Sequence, residues 1–239
     1  MVQHPGLRIE HPREERQERL TLIDGRPLVR RLVDAAWAGG AVPVVVAVAD
    51  PDGGVAAALA GAPAALAEAG PGGAARTLAT GAGTAVGEVS ETDAVMIWPS
   101  AYAWVDPETL TSLIEAHGIT PQATLRPTYQ GAAGWPVLVP VEALPRPGDH
   151  PAGGTFETVL AGVMAPVRLL DLGDPGTVHD LRTPRTDLPP YRGPARPAGT
   201  PHEWGSLAAE EPDVAAEEPD VTAEEPDVAS PAGPAAPGF

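Results

Sequence analysis

The run AVPVVVAVA at 41–49 constrains the fold more than any other stretch. A continuous β-branched segment with no polar alternation is the pattern of a strand buried on both faces, which requires helices above and below its sheet. PLVRRLVDAAWAGG precedes it. There Pro27 suits a first helical turn, Leu28, Leu32, Ala35 and Ala36 share one face, and Gly39 and Gly40 end the helix. An Ala-rich segment (54–69) and TLATGAGTAVGEV (77–89) read as helices, and DAVMIWP reads as the next strand. Asp106 then caps a helix with Pro107 at its first position, Leu110, Leu113 and Ile114 on its buried face, and Gly118 closing it. QATLRPTY, WPVLVP and VRLLDL supply three further strands, with TFETVLAGVM a helix between the last two. This order predicts an α/β fold: an open, mostly parallel, doubly wound sheet in a single domain over 20–188.

The remainder reads differently. AAEEPDV, AAEEPDV and TAEEPDV follow one another over 208–228 with a period of seven. One proline and one valine per repeat rule out a coiled-coil seam, because proline breaks the helix and a single apolar residue cannot zip it. With the Pro-rich stretches on either side, 189–239 is expected to be a disordered, acidic, solvating tail; an acidic partner-binding arm is the other reading.

The formal net charge of −17 argues against a nucleic-acid partner, since a phosphate backbone is repelled. Nine of the acids and no base lie in 208–228, so −17 becomes −8 without them, which is ordinary for a globular domain. No apolar stretch reaches eighteen residues, so no membrane span is expected. The charged N-terminus does not read as a signal peptide, and a cytoplasmic location follows as the expectation. The absence of cysteine excludes thiolate metal sites and thiol nucleophiles. All 15 basic residues are arginine, so no lysine is available for phosphate.

Several segments together resemble the MobA-like NTP transferase family, whose nucleotidyltransferases attach GMP or CMP to the molybdenum cofactor. LTLIDGRPLVRRLVDAAWAGGAVPVVVAV is similar to the family's first helix and second strand, and PGGAARTLATGAG to its nucleotide-facing segment. AVMIWPSAYAWVDPETLTSLIEAH, TYQGAAGWPVLVP and VHDLRTPRTDL resemble three later family motifs in the same order. The resemblance spans roughly 6–188 and implies a Rossmann-like nucleotidyltransferase fold.

The resemblance also implies where chemistry belongs. The family's glycine-rich loop wraps a triphosphate with backbone N–H groups and a lysine. Here 1–19 is a divergent N-terminal segment with one glycine, Gly6, and with Glu10, Glu14, Glu15 and Glu18 where phosphate would lie. Arg19 falls near the lysine position. Ala101 stands where the family has a metal-binding aspartate, and an alanine side chain cannot coordinate Mg²⁺. Asp180 matches the family's closing acidic motif, which makes it the candidate metal ligand, while Arg182 replaces a second acid. Arg76 and Gly81 lie in the nucleotide-facing segment. Tyr102, with Trp98 and Trp104, offers an aromatic surface for a base or pterin ring, and Trp135 replaces a family histidine.

No Walker motif, G-x-S-x-G elbow or paired metal-ligating histidines compete with this reading. The expectation is therefore a degenerate family member, catalytically weak or inactive, that binds a nucleotide (CTP or GTP) or a partner protein. The alternative is an active, Mg²⁺-dependent nucleotidyltransferase acting on a molybdopterin-type or other small acceptor. In that case Arg19, Arg76 and Asp180 carry the phosphate and metal contacts.

Overall fold

The computed structural model describes residues 19–70, 73–144, 155–162 and 166–194, all within one unit, Met1–Glu203. Residues 1–18 of the expected divergent segment 1–19 and most of the expected tail 189–239 lie outside the described residues.

The chain enters through a tight hairpin, β1 (Leu22–Ile23) and β2 (Arg26–Pro27). Asp24 and Gly25 form its turn with φ of 53° and 78°. Positive φ at both central residues is the geometry that Asp-Gly favours in a two-residue hairpin. Pro27 thus ends a strand and precedes helix α1 (Leu28–Ala38) instead of lying in its first turn. The buried face of α1 is Leu28, Val29, Val33 and Ala36, rotated by about one residue from the expected Leu28, Leu32, Ala35 and Ala36. Val29 and Val33 pack with Val48, Val55 and Leu59, so the β-branched positions face the neighbouring strand.

That strand is β3 (Val44–Val48), the core of the valine run. Helix α2 (Gly54–Ala58) follows, and the chain then enters β4 (Ala64–Glu68), parallel to β3 from Val44↔Ala64 to Val48↔Glu68. The expected helix over 54–69 is therefore half helix and half strand. Alanine favours helix, yet pairing with β3 decides the state of AALAE, because tertiary context overrides a weak propensity.

Helix α3 (Gly73–Glu88) leads to β5 (Ala94–Ile97), and α4 (Pro107–Ile119) follows a loop. Asp106 caps α4 as expected, accepting the Glu108 N–H at 3.1 Å; the helix runs past Gly118 to Ile119. β6 (Thr124–Tyr129), β7 (Ala132–Ala133) and β8 (Val137–Pro140) come next. Helix α5 (Phe156–Leu160) and β9 (Val167–Asp171) complete the order. β8 lies antiparallel between β5 and β6, and β9 runs parallel to β6. β5, β6 and β9 therefore share one direction, and β8 is reversed because a short turn joins it to β6.

Helices cover both faces. On β8, Val137 and Val139 pack with Leu78 of α3 and Val159 of α5, whereas Leu138 packs with Leu113 of α4 and Leu125 of β6. Alternate residues pointing to opposite apolar layers are the signature of a doubly wound sheet. Where α1 ends, a Cβ on Gly39 would lie 2.6 Å from the Leu110 Cβ, so glycine permits the two helices to meet. No helix among the described residues is long and apolar enough to cross a membrane.

Candidate functional site

The loop between β5 and α4 leaves the carboxyl end of a strand, the side of an open α/β sheet where ligands are placed. Its own side chains hold its shape. The Trp98 indole donates to the Tyr102 carbonyl at 2.9 Å, and the Trp104 indole donates to the Thr183 carbonyl at 3.0 Å. Both tryptophans thus act as braces. Tyr102 alone of the three expected aromatics turns toward the sheet's α3–α5 side, where its ring centroid lies 6.1 Å from that of Trp135.

Trp135 is the centre of this cluster and is buried. Phe156 meets it edge-on at 6.4 Å, and the Arg126 guanidinium lies over its ring at 5.3 Å. Arg126 is fixed in turn by two bonds to Glu157, at 2.7 and 3.1 Å, and one to the Gly134 carbonyl at 2.9 Å. Burial, and next the charge of Asp180, raises the Tyr102 pKa. The phenol therefore stays neutral at physiological pH. The sequence reading missed Arg126, Phe156 and Glu157. A charged residue in the middle of the buried strand TLRPTY was the available signal.

The structure brings Ala101 and Asp180 together, as the resemblance implies. Leu181 N–H donates to the Ala101 carbonyl at 2.8 Å, which sets Asp180 beside the loop. Its carboxylate is already engaged: Oδ1 accepts the Arg182 N–H at 3.0 Å and Oδ2 accepts the Arg182 Nε at 2.8 Å, with a second guanidinium N–H on the same oxygen. These bonds to Arg182 hold the Asp180 pKa below the ordinary carboxylate value. The donor set does not fit a divalent cation, which needs several oxygens free to converge. The Ala101 side chain has none, its carbonyl is taken, and Asp180 is bound to a cation. Among the described residues, no three His, Asp or Glu side chains gather to hold a metal ion.

The remaining candidates are placed as follows. Arg76 is exposed on the first turn of α3, next to Ala74 and Ala75, which pack against the aromatic cluster. Gly81 lies further along α3, where a Cβ would come 3.0 Å from that of Ala47. Its smallness serves the packing of α3 on β3. Arg19 precedes Leu20, which packs in the separate α1–β3 layer.

A buried carboxylate that the sequence reading did not single out organises the back of the loop. Asp174 accepts from the Asp106 N–H at 2.9 Å, the Thr109 hydroxyl at 2.7 Å and the Gly176 N–H at 2.8 Å. Burial raises its pKa, and the three donors offset part of the shift. It ties the start of α4 to the segment after β9.

Fold and loop together define a Rossmann-like α/β domain of nucleotidyltransferase type. The MobA-like NTP transferase domain family matches residues 13–165, and the chain belongs to that family. Among solved structures, 4-diphosphocytidyl-2C-methyl-D-erythritol synthase is similar in fold, with a TM-score of 0.53 at 20% identity, over 72% of this chain and 91% of that one. Rv0371c from Mycobacterium tuberculosis H37Rv aligns with a TM-score of 0.49 at 18% identity, over 65% of this chain and 79% of that one. Its complex with manganese gives 0.49 at 20% identity, over 65% and 80%. Comparison with curated proteins gave no match.

Proposed function

We propose that this chain is a degenerate member of its family, binding a nucleoside triphosphate such as CTP or GTP without transferring the nucleotidyl group efficiently. The observation that carries this reading is the pairing of Ala101 with an Asp180 already bound to Arg182. Metal neutralisation of a triphosphate supplies several kcal/mol to the transition state, and its loss lowers the rate by orders of magnitude. What supports retained binding is the neutral, half-buried Tyr102 ring on the loop, backed by the buried Trp135, as a surface for a planar base. The exposed Arg76 on the adjacent helix turn is the phosphate contact in this reading.

Thermal melting with CTP and GTP, each with and without Mg²⁺, tests the proposal. The expected result is stabilisation by at least one nucleotide that is the same with and without Mg²⁺. Stabilisation that requires Mg²⁺ overturns the degenerate reading, and no stabilisation by either nucleotide overturns the binding role.

A further inference from the structure

On its other side the β5–α4 loop borders a groove. This open groove of about 360 Å³ lies between the β1–β2 turn, α1 and residues 103–107, with Arg185 at its rim. Its charged lining is Asp24, Arg26, Arg31, Asp34, Asp106 and Arg185. Two of the three acids are already engaged by other groups. Asp34 accepts from Arg26 at 3.3 Å and from Arg30 at 2.9 Å, and Asp106 caps α4.

At the centre, Asp24 faces two guanidiniums at once, Arg31 at 3.3 Å and Arg185 at 3.1 Å. Both distances exceed the roughly 2.7–2.9 Å of tight charge-assisted bonds. Arg31 is held otherwise by a long bond of 3.5 Å to the Ala103 carbonyl and by stacking over Trp104 at 5.5 Å. Burial first, and then the like charge of Arg185, lowers its pKa. Two cations thus converge on one exposed carboxylate, and the half-buried cation is only loosely bonded. An oxyanion placed there would gain short charge-assisted bonds to both, one of them from the half-buried Arg31.

We propose that this groove is a second ligand site, taking a small oxyanion, a phosphate or carboxylate group, bridged between Arg31 and Arg185 beside the Trp104 ring. Asp24 is the internal competitor for the same N–H donors. The site shares no side chain with the Tyr102–Trp135 cluster and stands whether or not a nucleotide binds there.

Calorimetric titration of the full chain with inorganic phosphate, and separately with malonate, tests it through two exposed positions. Arg185→Gln should weaken binding roughly tenfold, since a charge-assisted bond is lost. Asp24→Asn should tighten it several-fold, because the competing charge is gone. Asparagine tolerates the left-handed backbone of that turn, so the hairpin is kept. Saturation by both ions identifies a general oxyanion site, and saturation by phosphate alone identifies a phosphate site. Absence of saturable binding, or an affinity unchanged by either substitution, overturns the proposal.

Discussion

Asp174→Ala removes the most connected buried carboxylate among the described residues, which is 2% exposed. Two backbone donors, the buried N–H of Gly176 and the partly buried N–H of Asp106, lose their acceptor. Each buried orphan costs about 1–3 kcal/mol. The Thr109 hydroxyl can rotate toward another acceptor, so its lost bond adds only about 1 kcal/mol. Relief from burying a charge offsets part of this, because burial already biases Asp174 toward its neutral form. The net loss should be about 4 kcal/mol, a large fraction of the roughly 5–15 kcal/mol that holds a domain folded. At roughly 2–4 °C per kcal/mol for a chain of this size, Tm should fall by about 8–16 °C. Circular dichroism melting with a matched urea midpoint measures it. Asp174→Asn keeps the volume and one acceptor and should fall between parent and Asp174→Ala. A loss in Asp174→Ala of under about 2 °C would refute the account of how α4 is tied to the segment after β9.

Other consequences are equally concrete. Because Arg182 lowers the Asp180 pKa, the pair stabilises the fold above the ordinary carboxylate range, and the stabilisation disappears as pH falls through the lowered folded value. Arg182→Gln should therefore lower Tm at neutral pH and leave it nearly unchanged in strong acid, and carboxyl-carbon NMR should show Asp180 titrating at higher pH. Trp135→Ala should cost about 3–5 kcal/mol by urea denaturation, as for other buried aromatics. It should also abolish nucleotide stabilisation if Trp135 backs the Tyr102 ring as the base platform; stabilisation that survives would place the base elsewhere.

Much of the architecture was legible wherever one physical signal dominated. The valine run forms strand β3 as expected, although only Val48 of it is buried and the other four positions are half-buried, and Asp106-Pro107 starts a helix. AALAE was not legible, because alanine has no strand signature and its state is set by pairing with Val44–Val48. The hairpin before α1 was signalled by Asp24-Gly25, but its strands are two residues each, too short to show alternation. The orientation of α1 was off by one position because Leu32 and Val33 are both apolar, and only the opposing surface decides which of them is buried.

At the site, the pairing of Ala101 with Asp180 was legible through the resemblance alone, since 79 positions separate them in the chain. The clamp of Arg126 on Glu157, 31 residues apart, leaves no local pattern. Asp174 sits in Gly-Asp-Pro-Gly, which reads as an ordinary turn; its burial arises only when β9 brings it under α4.

The central claim is that a missing oxygen at position 101 and an occupied one at 180 remove the metal site. Calorimetric binding of GTP and CTP, in Mg²⁺ and in EDTA, should be compared for the parent chain and for the double variant Ala101→Asp with Arg182→Gln. The account predicts affinities independent of Mg²⁺ in the parent and tightened by Mg²⁺ in the double variant. A parent chain whose nucleotide affinity already depends on Mg²⁺ would contradict it.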